Sequence, residues 1–266
     1  MRSRYRISVG GVQLDTLDDN LLILDIKYSG LQRDIKTQQT ANLGGMVVSD
    51  AYDACNRVTV MFELHIYDTA KRNEACQKIA KWAATGGTLV TNDRPGQFLR
   101  NVVCEQFPAV NSVRNWTDPL TVDFMSTVVP YWISTNDDTR LLTGKNVSGT
   151  FTLGGNVDSA LIGVTVTALE RFTTLQLTAG DTMLKLTGLD VAVNKQILVD
   201  YVNYRYLRVR MRTPRGTTYT DYVSVLSKLD PSSSDNLRVA CGSSTKVAVL
   251  ANGKVSAEFS GRGYWL

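Results

Sequence analysis

The residues that could carry catalysis or bind a metal are few in this sequence of 266 residues. His65 is the single histidine, and the four cysteines are Cys55, Cys76, Cys104 and Cys241. A structural zinc site needs several Cys or His ligands at short spacings such as CxxC, and these cysteines form no such pair. Scattered cysteines in a chain of this length are usually small buried hydrophobic residues, so we predict four free thiols.

Hydrolytic chemistry would have to use the same histidine. A Ser-His-Asp triad would need His65, and the sequence contains no GxSxG turn for a nucleophilic serine. The positions of the cysteines leave open a catalytic pair of one of them with His65. Glycosidases need two carboxyl groups across a cleft, whereas Asp18-Asp19 and Asp137-Asp138 are adjacent acids in polar segments. We therefore predict a protein that is not an enzyme and has no metal or other cofactor.

Arginines at alternate positions form the most concentrated charge of the sequence. Arg208, Arg210 and Arg212 share one face of a predicted strand, with apolar residues between them. This face is either a solvated strand surface or a docking surface for an acidic partner, because aligned guanidinium groups suit carboxylates. Specific nucleic-acid binding is not favoured, since 29 basic and 25 acidic residues leave a net charge of only +4.

The composition is that of a soluble globular protein, with 43% hydrophobic and 20% charged residues. The basic N-terminus lacks an apolar segment behind it, so no signal peptide is predicted. No apolar run approaches the roughly 18 residues that a membrane-spanning helix needs. We therefore expect synthesis in a cytoplasm and no membrane partner.

Alternating apolar residues predict β-strands through the first half of the chain. A hairpin is predicted around Gly10-Gly11, and a second strand over residues 22–28, with Leu22, Leu24, Ile26 and Tyr28 alternating on one face. The clearest strand runs over residues 57–67, with its even-numbered apolar residues facing a core. Its other face carries Met61, His65 and Tyr67, which we interpret as a candidate oligomer interface because bulky residues there favour a covered surface.

Residues 30–56 are too long for a simple turn between the two strands. The segment is polar, with Gln38 and Gln39 before Gly44-Gly45. We predict an extended hairpin arm that projects from the domain, and assign Gln38 and Gln39 to the candidate oligomer interface.

One segment has helical periodicity. Asp68 is a predicted N-cap for a helix over residues 69–85, and Gly86-Gly87 would end it. Trp82 lies on the apolar stripe and is predicted to anchor the helix on a sheet. A strand over residues 88–91 and a tight turn over residues 92–96 follow.

The polar stretch at residues 134–139 predicts a boundary between two domains, residues 1–134 and 135–266. Short alternating runs fill the second half and are separated by Gly, Asn and Asp, as at Asn252-Gly253. Many short strands without helices predict a β-sandwich or jelly roll.

Aromatic residues give an alternative function. Trp116, Trp132 and Trp265 could stack on sugars in a carbohydrate-binding adhesion module that recognises host cell-surface glycans. Packing in a core or an interface is the commoner role of tryptophan, and we favour it here.

The first half also carries a family resemblance. Its elements are the strand ending in Tyr67-Asp68, the helix with Trp82, the Asn92-Asp93-Arg94-Pro95-Gly96 turn and Pro130-Tyr131-Trp132. This order resembles the N-terminal belt domain of bacteriophage distal tail proteins (Dit). The second half resembles the galectin-like C-terminal domain of that family, although it has no histidine for lectin chemistry.

The resemblance implies a mainly β protein. It would have an N-terminal β-sandwich belt domain with one α-helix and a hairpin arm, and a C-terminal galectin-like jelly-roll domain. It also implies a structural hub at the tail tip of a siphophage virion, where a homohexamer joins the tail tube protein to the tail-associated hub protein. A receptor-binding protein would attach to the C-terminal domains, and DNA could pass through the ring.

Overall fold

A computed structural model describes residues 4–39, 46–108, 119–202, 204, 206–215 and 218–266. The chain is mainly β, with one α-helix among the described residues and two antiparallel sheets, so the predicted fold class is confirmed. By its internal contacts the chain divides into two compact units, Met1–Ile133 with Leu266, and Ser134–Trp265. Each unit has a continuous apolar core.

The first unit is a sheet with a helix packed on it. Its strands follow the order β2-β1-β5-β6-β7-β4-β3, and β8 pairs with β6. The elements are β1 (Ile7–Val9), β2 (Val12–Gln13), a 3-10 turn (Leu14–Thr16), β3 (Leu21–Gln39), β4 (Met46–Leu64), α1 (Thr69–Thr85), β5 (Gly87–Thr91), β6 (Gln97–Gln106), β7 (Leu120–Ser126) and β8 (Trp132–Ser134).

The predicted glycine hairpin is confirmed at β1 and β2. Val9 pairs with Val12, and the two residues between them are Gly10 and Gly11. Both glycines have positive φ, 58° and 84°, which side chains disfavour and a two-residue hairpin turn of this kind requires.

The hairpin arm is also confirmed. β3 and β4 pair antiparallel from Leu21 with Leu64 out to Gln39 with Met46. One detail of the prediction is wrong, because Leu22 and Leu24 do not share a face with Ile26. A register shift between Ile23 and Asp25 changes the alternation, so Leu21 and Ile23 are buried before it and Ile26 after it.

The predicted strand over residues 57–67 has different ends in the structure. Its alternation is correct, since Val58, Val60, Phe62 and Leu64 are completely buried. The strand begins at Met46 and ends at Leu64. It ends there because the Ile66 N–H bonds locally to the Leu64 carbonyl instead of continuing the ladder.

The helix α1 forms where its capping residues predict it. The Asp68 carboxylate accepts hydrogen bonds from the main-chain N–H groups of Ala70 and Lys71, at 2.8 and 3.1 Å. Gly86 follows the helix with φ of 61°. Trp82 anchors α1 as predicted, since its ring meets the Phe124 ring edge-on at 5.5 Å and its indole N–H donates to the Val12 carbonyl at 2.8 Å.

The strands of the second unit are β9 (Asp138–Thr152), β10 (Ala160–Ala168), β11 (Leu175–Ala179), β12 (Thr182–Leu186), β13 (Gln196–Val202), β14 (Tyr206–Arg215), β15 (Thr218–Ser224), β16 (Arg238–Val239), β17 (Ser244–Gly261) and β18 (Tyr264–Trp265). All but β18 belong to one sheet, of the order β12-β11-β17-β10-β13-β14-β15, with β9 beside β17 and β16 beside β10. A 3-10 turn, Leu226–Lys228, follows β15.

The full length of the two longest strands of this unit was not predicted. β9 begins at Asp138, inside the polar stretch assigned to the boundary, and β17 passes through Asn252-Gly253, which was predicted as a separating turn. The register shift between Leu250 and Val255 accommodates these residues without ending the strand. The Asn252 amide oxygen accepts from the Thr173 N–H at 2.9 Å, which fixes the bulge.

The two halves of β17 have different neighbours. The segment before the bulge pairs with β11, the segment after it pairs with β10, and β9 pairs with both. Alternate β17 residues are buried throughout, as at Val249 and Phe259. The long pair β9–β17 therefore runs beside both β11 and β10.

Candidate interaction surfaces

The predicted oligomer residues of the first unit lie on and beyond the end of β4. Met61 is half-buried and stands opposite Asp25 of β3 and Thr121 of β7. His65 and Glu63 are joined by a 2.9 Å contact between Nε2 and Oε2. Tyr67 is 79% exposed, which makes it the most exposed large apolar side chain of the described residues. No partner is present to test this assignment, which stays a prediction.

The arm extends beyond the rest of its sheet. Within the described part of the chain, β7 pairs with β4 over Arg57–Phe62, and the β4 residues before Arg57 pair there with β3 alone. The main chains of Gln38 and Gln39 pair with Val47 and Met46, but their side chains lie outside the described part of the structure. Ile35 on this ribbon is 56% exposed.

A polar cluster holds the base of the arm. The Tyr131 hydroxyl donates to the Asp53 carboxylate, which also accepts from Arg33 Nε at 3.1 Å. The Asn56 side chain donates to the Pro130 carbonyl at 3.2 Å, and its main-chain N–H donates to the Ser126 hydroxyl at 2.8 Å. The segment before β8 thus fixes the direction in which the ribbon leaves the sheet. Sequence reasoning missed Asp53 and Asn56, which belong to no spaced motif.

The remaining motif elements of the first unit meet around Arg94. Its guanidinium group lies 4.9 Å from the Tyr28 ring centre and 4.8 Å from that of Trp132, and it donates to the Leu266 main-chain oxygen at 3.1 Å. The Tyr28 hydroxyl donates to Asp93 at 2.6 Å. Burial raises the pKa of Tyr28, and the bond to Asp93 raises it further. This cluster joins β3, the turn at residues 92–96 and β8.

The predicted docking arginines of the second unit have cross-strand partners in the chain itself. Arg208 donates to both oxygens of Asp200 at 2.7 Å, and Arg210 donates to one of them at 2.7 Å. Arg212 donates to the Gln196 amide oxygen at 2.6 Å. The structure therefore brings the three arginines together on one face, as the alternation predicted. Sequence reasoning missed Asp200, whose position opposite Arg208 only the register reveals.

The electrostatics of this cluster favour the charged carboxylate. Partial burial acts to raise the pKa of Asp200, but the hydrogen bond from Arg208 and the charges of Arg210 and Arg208 outweigh it and lower that pKa. The bond to Asp200 in turn raises the pKa of Arg208. Two guanidinium groups and one carboxylate leave one formal positive charge in excess.

Exposed side chains surround these arginines on the same face. Tyr206 is 68% exposed and pairs with Val202, which is 40% exposed. At the other end the ring of Tyr222, 47% exposed, lies 4.5 Å from the Arg210 guanidinium. We call this surface the arginine face and define it by six residues. They are Asp200, Val202, Tyr206, Arg208, Arg210 and Tyr222.

The residues considered for catalysis show no assembled site. All four cysteines carry free thiols, as predicted, and burial raises the pKa of Cys76, Cys104 and Cys241. In the described ranges no three His, Cys, Asp or Glu side chains are grouped as metal ligands would be. Among those residues no helix combines the length and the apolar composition that crossing a membrane requires.

The tryptophans considered for sugar stacking have different environments. Trp132 is completely buried, so it serves the core and not a ligand. Trp265 is half-buried, and Trp116 lies outside the described residues. The carbohydrate-binding interpretation thus keeps only part of its sequence basis and stays a prediction.

Comparison with known proteins finds similarity in structure alone. No family model matches the sequence, and no curated protein matches it. The Dit protein of phage SPP1, described as a paradigm of the hub adsorption apparatus in phages that infect Gram-positive bacteria, matches with a TM-score of 0.70. The two sequences are 11% identical, and the match covers 97% of this chain and 98% of that one.

Chains of the phage p2 baseplate in its activated conformation, with Sr and with Ca, match more distantly. Their TM-scores are 0.46 and 0.45, at 10% identity, over 97% of each chain. The SPP1 match by itself spans both units, including the second, where the sequence resemblance rested on strand spacing. The resemblance inferred from the sequence is confirmed at the level of structure: this chain has the fold of a phage Dit protein.

Proposed function

We propose that this protein is a structural hub of a bacteriophage tail tip. The observation that carries the proposal is the match to the SPP1 Dit protein over nearly the full length of both chains, at a TM-score of 0.70. A second support is internal. The polar clusters around Arg94 and at the base of the arm connect strands to one another, which is the work of a scaffold rather than of a catalyst.

The hub is a hexameric ring built from the first unit. A ring needs a heterologous interface, in which two different surfaces of the same chain meet and close after a fixed number of copies. The arm offers one such surface, because a two-stranded ribbon is marginally stable in water and gains from packing on a neighbour. The exposed Tyr67 and half-buried Met61 offer the complementary apolar surface.

In the virion this ring joins the tail tube protein on one side to the tail-associated hub protein on the other. The second units attach a receptor-binding protein. This assignment places the protein at the tail tip, after its synthesis in the cytoplasm of the host bacterium. It involves no enzymatic activity, no membrane and no specific binding of nucleic acid.

The oligomeric state tests the proposal directly. Size-exclusion chromatography with light scattering is expected to give about six times the mass of one chain, and negative-stain images are expected to show six-fold rings. A protein that is monomeric at high concentration, alone and also when co-expressed with the tail-associated protein of its phage, would contradict the ring.

Variants locate the interface. Tyr67→Asp places a charge in the apolar surface and is expected to convert rings to smaller species without unfolding the chain, since Tyr67 is largely exposed. Tyr206→Asp is the matched control, because Tyr206 is similarly exposed but lies in the second unit. If both variants lost rings to the same extent, the ring interface would no longer be assigned to the first unit.

A further inference from the structure

The arginine face has more hydrogen-bond donors than its own carboxylate can accept. A guanidinium group carries several N–H donors in a fixed fork and no acceptor. Asp200 accepts two bonds from Arg208 and one from Arg210, so one carboxylate serves two guanidinium groups. The surplus of donors and of positive charge fits a ligand with carboxylate oxygens.

Asp200 also holds the two arginines in place. Its bonds to Arg208 are bidentate, and Arg210 is held additionally against the Tyr222 ring at 4.5 Å. Side chains that are already ordered lose little entropy when they bind, so the face is preorganised for a partner. A solvated strand face would need neither the shared carboxylate nor the stacked tyrosine.

The surroundings of the arginines favour a polypeptide over a sugar. Val202 and Tyr206 form an exposed apolar patch at one end of the face, at 40% and 68% exposure. Tyrosine and arginine dominate the residues that contribute most to binding at protein interfaces. The aliphatic Val202 suits an apolar side chain of a peptide and offers no polar group to a hydroxyl-rich sugar.

The dimensions fit an extended segment. Paired positions run along β13 and β14 from Val202 with Tyr206 to Gln196 with Arg212. Six residue steps along a strand cover about 20 Å. A peptide of roughly six residues in an extended conformation has this length and presents alternate side chains to the face.

We propose that the arginine face docks an extended acidic segment of a partner protein. Carboxylates of that segment bind Arg208 and Arg210 in competition with Asp200, and its apolar side chains pack against Val202 and Tyr206. The inference adds to the proposed hub function a partner protein that binds the second unit. Its test measures peptide binding and not ring formation, so it can fail while the hub proposal stands.

The experiment uses the full chain and a fluorescein-labelled Glu-Val peptide, Val-Ser-Val-Ser-Glu-Ser-Glu, whose Val and Glu side chains share one face when it is extended. Fluorescence anisotropy at low salt is expected to show saturable binding that weakens as salt is added. The same peptide with Gln in place of both Glu residues is expected to bind at least tenfold more weakly. An oligouronate of similar length and charge tests an acidic glycan as the alternative ligand.

Three variants test the assigned residues. Arg208→Gln with Arg210→Gln is expected to lower the affinity for the Glu-Val peptide at least tenfold, while the double change to Lys keeps part of it. Asp200→Asn is expected to raise the affinity several-fold, because it removes the competing negative charge while its amide oxygen still accepts a hydrogen bond that positions an arginine. Arg171→Gln is the matched control and is expected to bind as the unchanged chain does, since Arg171 pairs with Asp190 elsewhere in the unit.

The direction in which Asp200→Asn changes the affinity for the peptide distinguishes a docking surface from a cluster that only stabilises the fold. A structural cluster loses stability in this variant and gains no affinity, so an unchanged or lower affinity for the Glu-Val peptide would overturn the proposal. Equal binding of the two peptides, or binding unaffected by the double Gln change, would overturn it as well. Tighter binding of the oligouronate than of the peptide would replace the protein partner by an acidic glycan.

Discussion

Two arginines of this molecule show how differently its two units use one residue type. In the first unit Arg94 lies over the rings of Tyr28 and Trp132, at 4.9 and 4.8 Å. In the second unit Arg208 pairs with Asp200 on an open sheet face, with 42% of its side chain exposed. The first guanidinium group packs against two aromatic rings, and the second is presented to solvent.

The difference teaches that the surroundings of an arginine decide its role. A cation over an aromatic ring is held more strongly as water is excluded, so Arg94 contributes to stability. An ion pair in contact with water is screened and contributes little, which leaves Arg208 available for exchange with another carboxylate. Stability and binding are thus divided between the two units, and the following measurements test that division.

The largest effect is expected for Trp132→Ala. Trp132 is completely buried and packs on both Tyr28 and Arg94, so truncation leaves a large cavity and is expected to lower the free energy of unfolding by about 3–5 kcal/mol. Urea denaturation followed by circular dichroism measures the change. Tyr67→Ala is the control and is expected to cost less than about 1 kcal/mol, because Tyr67 is largely exposed.

A direct comparison of Arg94 with Arg208 replaces each of the two by lysine in turn. Arg94→Lys loses the planar group that lies over two rings and is expected to cost about 1 kcal/mol of unfolding free energy. Arg208→Lys keeps the charge beside Asp200 and is expected to cost about 0.5 kcal/mol or less, since both side chains are partly exposed. Urea midpoints of the two variants measure the difference. A larger cost for Arg208→Lys would reverse the division between the units.

The pH dependence of the unfolding free energy tests the contribution of Asp200. Its pKa is lower in the folded chain than in the unfolded one, so its contribution to stability is present above about pH 4 and is lost as the pH falls through the folded pKa. The difference in unfolding free energy between the unchanged chain and Asp200→Asn is therefore expected to be constant near neutral pH and to shrink below about pH 4. A difference that grows on acidification would contradict the shared carboxylate.

The smallest effect is expected for Arg171→Gln. Arg171 and Asp190 form an ion pair in which 70% and 69% of the side chains are exposed. Its removal is expected to change the unfolding free energy by no more than about 0.5 kcal/mol at physiological salt. Thermal unfolding of this variant supplies the baseline against which the Arg208 measurements are judged.

Local patterns account well for the elements of the first unit. The Asp68 cap, the Trp82 stripe and the Gly10-Gly11 turn each act within a few residues, and each appears where it was predicted. The even-numbered core residues of β4 follow from simple alternation, because one face of that strand is completely buried. These features depend on neighbours in sequence, so the sequence is sufficient to locate them.

The ends of the strands were harder to predict from the sequence, because pairing with a neighbouring strand decides where a strand ends. β9 and β17 continue through polar residues, since a neighbouring strand satisfies their main-chain groups and a bulge absorbs Asn252-Gly253. The shifted face of β3 has the same cause, a bulge that no local signal marks. Periodicity therefore located the short strands of the second unit and missed the full length of its two longest ones.

The sequence by itself determined that the chain is mainly β with a capped helix and a long arm, because period, caps and glycine turns are local properties. It also determined that three arginines share one face. Only the tertiary structure decided what those arginines do, since the carboxylate opposite Arg208 and the rings around Arg94 come from distant parts of the chain. Register and packing brought these partners together, and they separate the arginine that stabilises the fold from those we propose to bind a partner.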